Sequence, residues 1–273
     1  MLRQRVWTAL ALILGFLAAL FYFPPAVWSI LMGAIALGAA WEWARLCGLS
    51  GFLKGLYALL VGCAIALLYI LSGEFEFIMP GVWLATLLFW FLLAPLWLFK
   101  HWMVRQRFLL LTIGFIVLLP TWFAFVSLRE INAVLLLFLM GLVWVADIAA
   151  YFSGRQWGKH KLAPQISPGK TWEGVIGALL MAMCYVAIWR FFAPYSLVRL
   201  STASWLIQSL AAMLFVAISI TGDLFESHLK RTAGVKDSGN IIPGHGGILD
   251  RIDSQTSVLP VAMALIYFIS LGA

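Results

Sequence analysis

The sequence predicts an all-α fold, a polytopic integral membrane bundle of about nine transmembrane helices with the N-terminus inside and the C-terminus outside. Three observations carry this. Of the 273 residues, 64% are hydrophobic and 11% charged, with a mean hydropathy of +1.01, whereas a soluble domain is roughly 25% charged. Apolar runs near the roughly 20 residues that a helix needs to cross the hydrocarbon core recur down the chain. The basic residues, finally, favour alternate connections between those runs.

The runs place spans over 6–23, 26–45, 53–72, 79–99, 108–127, 133–152, 174–192, 204–222 and 256–272, the first and last being the shortest. They are continuously apolar, which excludes the in–out alternation of a barrel strand. The opening MLRQR followed by an apolar run reads as an uncleaved anchor, because FYFPPAVW lacks the small-residue cleavage site of a signal peptide. With the N-terminus in the cytoplasm, 15 of the 18 Lys and Arg lie on the cytoplasmic side, leaving Arg129, Arg190 and Arg199 opposite. Loop Lys/Arg bias sets membrane orientation, so the topology reads N-in, C-out. The net charge of +7 then means anchoring at an anionic leaflet and capacity for phosphate ligands. It does not mean nucleic-acid binding, since there is no soluble basic domain. Cys47, Cys63 and Cys184 are far apart and form no CxxC, as buried apolar thiols would be. The chain divides into N-terminal transmembrane helices, 1–140, and a C-terminal catalytic transmembrane region, 141–273, without a soluble domain.

Of the eleven acids, all but Glu74, Glu76 and Glu130 fall toward the cytoplasmic side. A carboxylate in or beside a bilayer is expensive unless paired or bound to metal, so Asp147 and Asp223 are functional candidates. Asp147 has a plainer reading, a pairing with Arg155 or an edge charge.

Three polar stretches hold the remaining candidates. Residues 144–174 contain SPGKT, which lacks the glycine a P-loop requires at the position of Pro164. Ser167, Gly169, Lys170 and Thr171 still offer a flexible backbone, two hydroxyls and an ammonium just before a helix N-terminus, where anions are favoured. A capped helix start with Glu173 in its first turn explains the same residues, and the two readings are compatible. In residues 221–231, a helix running on past the membrane puts Asp223, Glu226, Ser227 and Lys230 on one face. That stripe suits a divalent metal held by oxygens beside a lysine that meets a phosphate. An ordinary Glu226–Lys230 surface pair leaves Asp223 unexplained. In residues 236–253, Gly239, Pro243, Gly244, Gly246 and Gly247 make a loop whose amides can approach a ligand, with Asp250 and Asp253 three residues apart at the foot of the last helix. His245 reads as a ligand, a phosphate donor or a loop hydrogen bond. Hard oxygen ligands favour Mg2+ over zinc.

Residues 227–253 resemble the signature of the phosphatidate cytidylyltransferase (CDP-diacylglycerol synthase) family. Ser227, Leu229, Lys230, Arg231, Lys236, Asp237, Gly239, Ile242, Pro243, His245, Gly246, Gly247, Ile248, Asp250, Arg251, Ile252 and Asp253 fill every constrained position. The stretches D-x-x-A-Y-F-x-G-R-x-x-G-K and S-P-G-K-T-W-E-G, from Asp147 to Gly174, are similar to the family as well.

The resemblance implies a membrane enzyme of phospholipid biosynthesis that condenses CTP with phosphatidate, giving CDP-diacylglycerol and pyrophosphate at the cytoplasmic face of the inner membrane. It implies Mg2+, with a monovalent partner such as K+ left open, membrane lipids as surroundings and a homodimer as the assembly. Asp223 and Asp250 are expected as metal ligands, with Glu226 and Asp253 as weaker candidates. Lys170, Lys230, Arg231 and Arg251 are expected to neutralise the phosphates, and Ser167, Thr171, Ser227, Lys236, His245, Gly246 and Gly247 to line the substrate site. An ion-coupled transporter fits poorly, because its polar groups would sit near the midplane in related halves. A CDP-alcohol phosphotransferase would carry a D-G-x-x-A-R array that this chain lacks. Another membrane nucleotidyl or phosphoryl transferase acting on a lipid phosphate is the alternative.

Overall fold

The computed structural model describes residues 13–71, 78–192, 204–242 and 246–271. Ten helices follow one another among them: α1 (Ile13–Tyr22), α2 (Pro25–Leu46), α3 (Phe52–Leu71), α4 (Met79–Lys100), α5 (Arg107–Ile131), α6 (Ala133–Trp157), α7 (Trp172–Phe192), α8 (Trp205–Thr232), α9 (Leu249–Ile252) and α10 (Gln255–Leu271). Between α6 and α7, β1 (Lys161–Ala163) and β2 (Ser167–Thr171) form an antiparallel hairpin. The all-α membrane bundle expected from sequence is what folds. Seven helices, α2 to α8, are long and apolar enough to span a bilayer, while α1 and α10 are shorter apolar helices. Residues 1–12, which hold the opening of the anchor reading, lie outside the described residues, as do the predicted span ends at 72 and 272 and the charges predicted on the far side at Glu74, Glu76 and Arg199.

Helix starts follow local chemistry. Pro25 opens α2, where its missing N–H is not needed. The Asn132 side chain accepts from the amides of Val134 (2.8 Å) and Leu135 (3.4 Å) and caps α6. Within α4, Phe89–Leu93 forms a single π-helical turn just ahead of Pro95, whose nitrogen cannot donate to the ladder. That turn sets Phe89 and Trp90 edge-on to Phe225 of α8, with centroids 5.3 and 5.9 Å apart.

Polar groups in a hydrocarbon slab must find partners inside the protein. The Trp28 and Trp122 indoles accordingly donate to the Phe125 and Ser29 carbonyls, 3.1 and 3.2 Å across α2 and α5. Trp43 and Tyr57 donate to the carbonyls of Leu110 and Leu111, both at 2.9 Å. The last helix, α10, is central: it packs on α4, α5, α6 and α8, and Val258, Leu259, Val261 and Ala264 are fully buried. Leu60, Leu67, Ile176 and Leu180 face outward, as lipid contacts would.

The two ends of the bundle differ. At one, Arg129 closes the end of α1, its Nε donating to the Leu20 carbonyl at 2.8 Å and its Nη2 to that of Phe23. At the other lie the end of α2, the hairpin, the end of α8 and the loop before α9, and nearly all the remaining charge collects there.

Candidate active site

The α8 helix runs without a break from Trp205 to Thr232, so the expected stripe of Asp223, Glu226, Ser227 and Lys230 exists on one face. Lys230 is its centre. Its ammonium contacts Glu226 Oε2 one turn back and Asp250 Oδ1 at 2.7 Å across the site. The side chains of Lys230, Glu226 and Asp250 are 12%, 6% and 10% exposed, so this is a buried bridge between two acids and not the surface pair weighed from sequence. The Ser227 hydroxyl donates to Asp223 Oδ1 at 3.3 Å.

The hairpin replaces the flexible loop expected around SPGKT. Lys161 pairs with Thr171 and Ala163 with Ser167. This register carries Lys170 to α8, where its ammonium meets Asp223 Oδ2 at 2.6 Å. Arg231 Nε donates to the Ile166 carbonyl at 3.4 Å and pins the hairpin's buried tip to the same helix. Thr171 Oγ1 accepts the Gly174 amide at 3.1 Å, so the capped helix start is present beside the lysine contact. Glu173 takes the His160 amide and ring, Nδ1 lying 2.7 Å from Oε1.

The signature loop closes on the other side. Ile242 N donates to the Gly246 carbonyl at 3.0 Å, and Gly246 has φ +82°, a left-handed conformation that favours glycine. His245, with Pro243 and Gly244, lies outside the described residues. Asp250 accepts from the Ser238 amide (3.0 Å), the Ser238 hydroxyl (3.0 Å) and the Gly247 amide (2.9 Å) as well as from Lys230. Burial opposes its charge, but the Lys230 ammonium and the two amides outweigh burial and hold its carboxyl below the ordinary value. Asp253 shifts the other way: burial, then the Asp223 and Glu226 carboxylates, push it well above the ordinary value. Lys236, Arg231 and Arg251 are exposed at the rim.

Asp147, on α6, falls within electrostatic reach of Asp223 and Lys170. Arg155 instead donates to the Tyr151 hydroxyl at 3.1 Å. Among the described residues no three His, Cys, Asp or Glu side chains converge on a point that could hold a metal ion. Two ammoniums, Lys170 and Lys230, stand between the acids instead. The donor set itself is all oxygen, the chemistry Mg2+ takes, and Glu226 Oε1 is buried with no hydrogen-bond partner.

Sequence reasoning missed Glu42. It lies in α2, 1% exposed, and reaches across the bundle to the signature loop. The available signal was an acid alone in an apolar run.

Buried carboxylates and ammoniums at one end of a helical membrane bundle, beside a glycine-rich loop, define an integral membrane protein with a charged site at one end. The profile of the cytidylyltransferase family matches residues 3–269, and the chain belongs to that family. It is 40% identical over 282 residues to the phosphatidate cytidylyltransferase of Pseudomonas aeruginosa, with both chains covered completely. It is 38% identical over 291 residues to the one of Haemophilus influenzae, covering 98% of this chain and all of the relative. A 124-residue stretch, 45% of each chain, is 47% identical to the one of Staphylococcus haemolyticus.

Proposed function

We propose that this protein transfers the cytidylyl group of CTP to phosphatidate, giving CDP-diacylglycerol and pyrophosphate as a step of phospholipid biosynthesis. The observation that carries the reading is identity of 40% along the whole chain to a relative named for that activity. The site chemistry supports it. A phosphatidate oxygen attacks the α-phosphorus of CTP in line; the new O–P bond forms as the bond to the β-phosphate oxygen breaks, and pyrophosphate leaves with the electron pair. Both substrates are polyanions, so neutralisation and positioning supply most of the rate.

Lys170, Lys230, Arg231 and Arg251 bind the triphosphate and the lipid phosphate. Ser167, Thr171, Ser227, Lys236, His245 and the Gly246 and Gly247 backbone line the substrates. Asp223 and Asp250, with Glu226 and Asp253, hold Mg2+, alongside which a monovalent ion such as K+ has a place. When bound, the metal adds positive charge at the polyphosphate. The protein works as a homodimer in the inner membrane, with this end of the bundle in the cytoplasm; cross-linking in native membranes that yields monomers alone would remove the dimer from the reading.

The test is pyrophosphate release by the detergent-purified protein, omitting CTP, phosphatidate and Mg2+ in turn. Release should require all three. Asp223→Asn and Asp250→Asn should lose at least about 100-fold in activity, and residual Asp223→Asn activity should need more Mg2+. Release without phosphatidate, or an Asp223→Asn protein with the parent's Mg2+ dependence, would overturn respectively the reaction and the metal assignment.

A further inference from the structure

Glu42 and Asp250 face each other across Ser238. The Ser238 hydroxyl lies 2.9 Å from Glu42 Oε2 and 3.0 Å from Asp250 Oδ2. Three consecutive amides are divided between the same carboxylates: Gly247 donates to Asp250 at 2.9 Å, while Ile248 and Leu249 donate to Glu42 at 3.0 and 2.9 Å. Each Glu42 partner is about 200 residues away along the chain, with separations of 196, 206 and 207. Among the described residues Glu42 has no cationic partner. A buried carboxyl group is costly unless donors are aimed at it, and the donors to Glu42 all belong to this loop.

The glycines of the loop fit this contact. A Cβ at Gly239 would stand 2.1 Å from Glu42 Oε1, and one at Gly247 would stand 2.1 Å from Ser238 Oγ and 2.5 Å from Glu42 Oε2. One turn before Glu42 on the same face, a Cβ at Gly38 would meet Ile248 Cδ1 at 2.3 Å. Arg45 Nη1, one turn later, donates to the Ser238 carbonyl at 3.4 Å. The face of α2 formed by Gly38, Glu42 and Arg45 is therefore a socket shaped to the loop.

We propose that Glu42 is a positioning residue: from the N-terminal half of the chain it fixes the signature loop through Ser238 and the Ile248 and Leu249 amides, and so aims Asp250 at the reaction. Its action through Asp250 rests on the reaction proposed above, whereas its hold on the loop does not. A Glu42→Gln side chain keeps the size but presents an NH2 group to amides that need an acceptor. The loop shifts, and misplacement on the scale of an ångström lowers kcat on the order of 100-fold.

The test combines turnover with hydrogen exchange on the full-length protein in detergent. In Glu42→Gln, amides over residues 246–252 should exchange faster while those of α3 and α7 keep their protection, a result that needs no turnover. Glu42→Asp, which retains the two acceptor oxygens, should recover part of both kcat and protection. Ser238→Ala should lower kcat by itself, and the double variant Glu42→Gln/Ser238→Ala should be no slower than the slower single variant, because both act through one contact. Unchanged exchange over residues 246–252 in Glu42→Gln, or losses that multiply in the double variant, would overturn the assignment.

Discussion

Lys230 is the residue on which the site's electrostatics turn. It neutralises Glu226 and Asp250 where water is largely excluded, and Asp223 and Glu226 already crowd Asp253. Removing one partner of a buried charge pair leaves the other uncompensated, at about 3–5 kcal/mol. Lys230→Met should therefore lower the Tm followed by tryptophan fluorescence and abolish pyrophosphate release, with Lys230→Arg recovering stability more fully than activity. A Met variant as stable as the parent would mean that the acids are neutralised some other way. At this scale the sequence was legible where chemistry is dense: Asp223, Glu226, Ser227, Lys230 and Asp250 do come together. Glu42 escaped because its partners are distant in sequence and are mostly backbone amides, which leave no side-chain pattern to read.

Among the elements, α6 and α7 set the position of the hairpin that carries Lys170. Their approach depends on small residues: a Cβ at Gly177 would lie 1.8 Å from Ser153 Oγ, and one at Gly174 would lie 2.8 Å from the Ala150 carbonyl oxygen. Without a hydrophobic drive between helices in lipid, such close packing supplies much of the association energy. Gly177→Leu should separate the pair, destabilise the fold by about 1–3 kcal/mol and weaken CTP binding through displacement of Lys170. Gly81→Ala is the matched control, since a Cβ at Gly81 meets nothing within 4 Å; it should leave Tm unchanged or raise it. Equal effects of the two would show that α6–α7 packing is not what is being perturbed. The helices were readable from hydropathy alone, whereas the hairpin was not: strands of three and five residues containing Pro168 and Gly169 carry no alternating apolar pattern. The π turn of α4 likewise has only Pro95 as a local signal.

For the whole molecule, apolar runs foretold every described helix except α9, a single short turn inside the signature loop. What hydropathy does not encode is how they associate, because lipid-facing and protein-facing positions are equally apolar: α7 and α5 have mean hydropathies of 2.0 and 2.3, yet 17% of the most apolar stretch is buried in α7 against 61% in α5. Orientation is a separate physical question, governed by Lys and Arg flanking the spans. Exposed positions at the two ends test it, Gln165 at the tip of the hairpin and Glu130 at the end of α5. Cys47 is buried, whereas Cys63 and Cys184, expected as buried thiols, are exposed on the outer faces of the apolar helices α3 and α7, where hydrocarbon keeps an impermeant reagent from them. A membrane-impermeant maleimide should therefore label Gln165→Cys in inverted inner-membrane vesicles and Glu130→Cys in right-side-out ones, over a low background. The reverse pattern would place the carboxylate and lysine cluster on the side away from cytosolic CTP. It would overturn the topology and, with it, the proposal that the site draws its nucleotide from the cytoplasm.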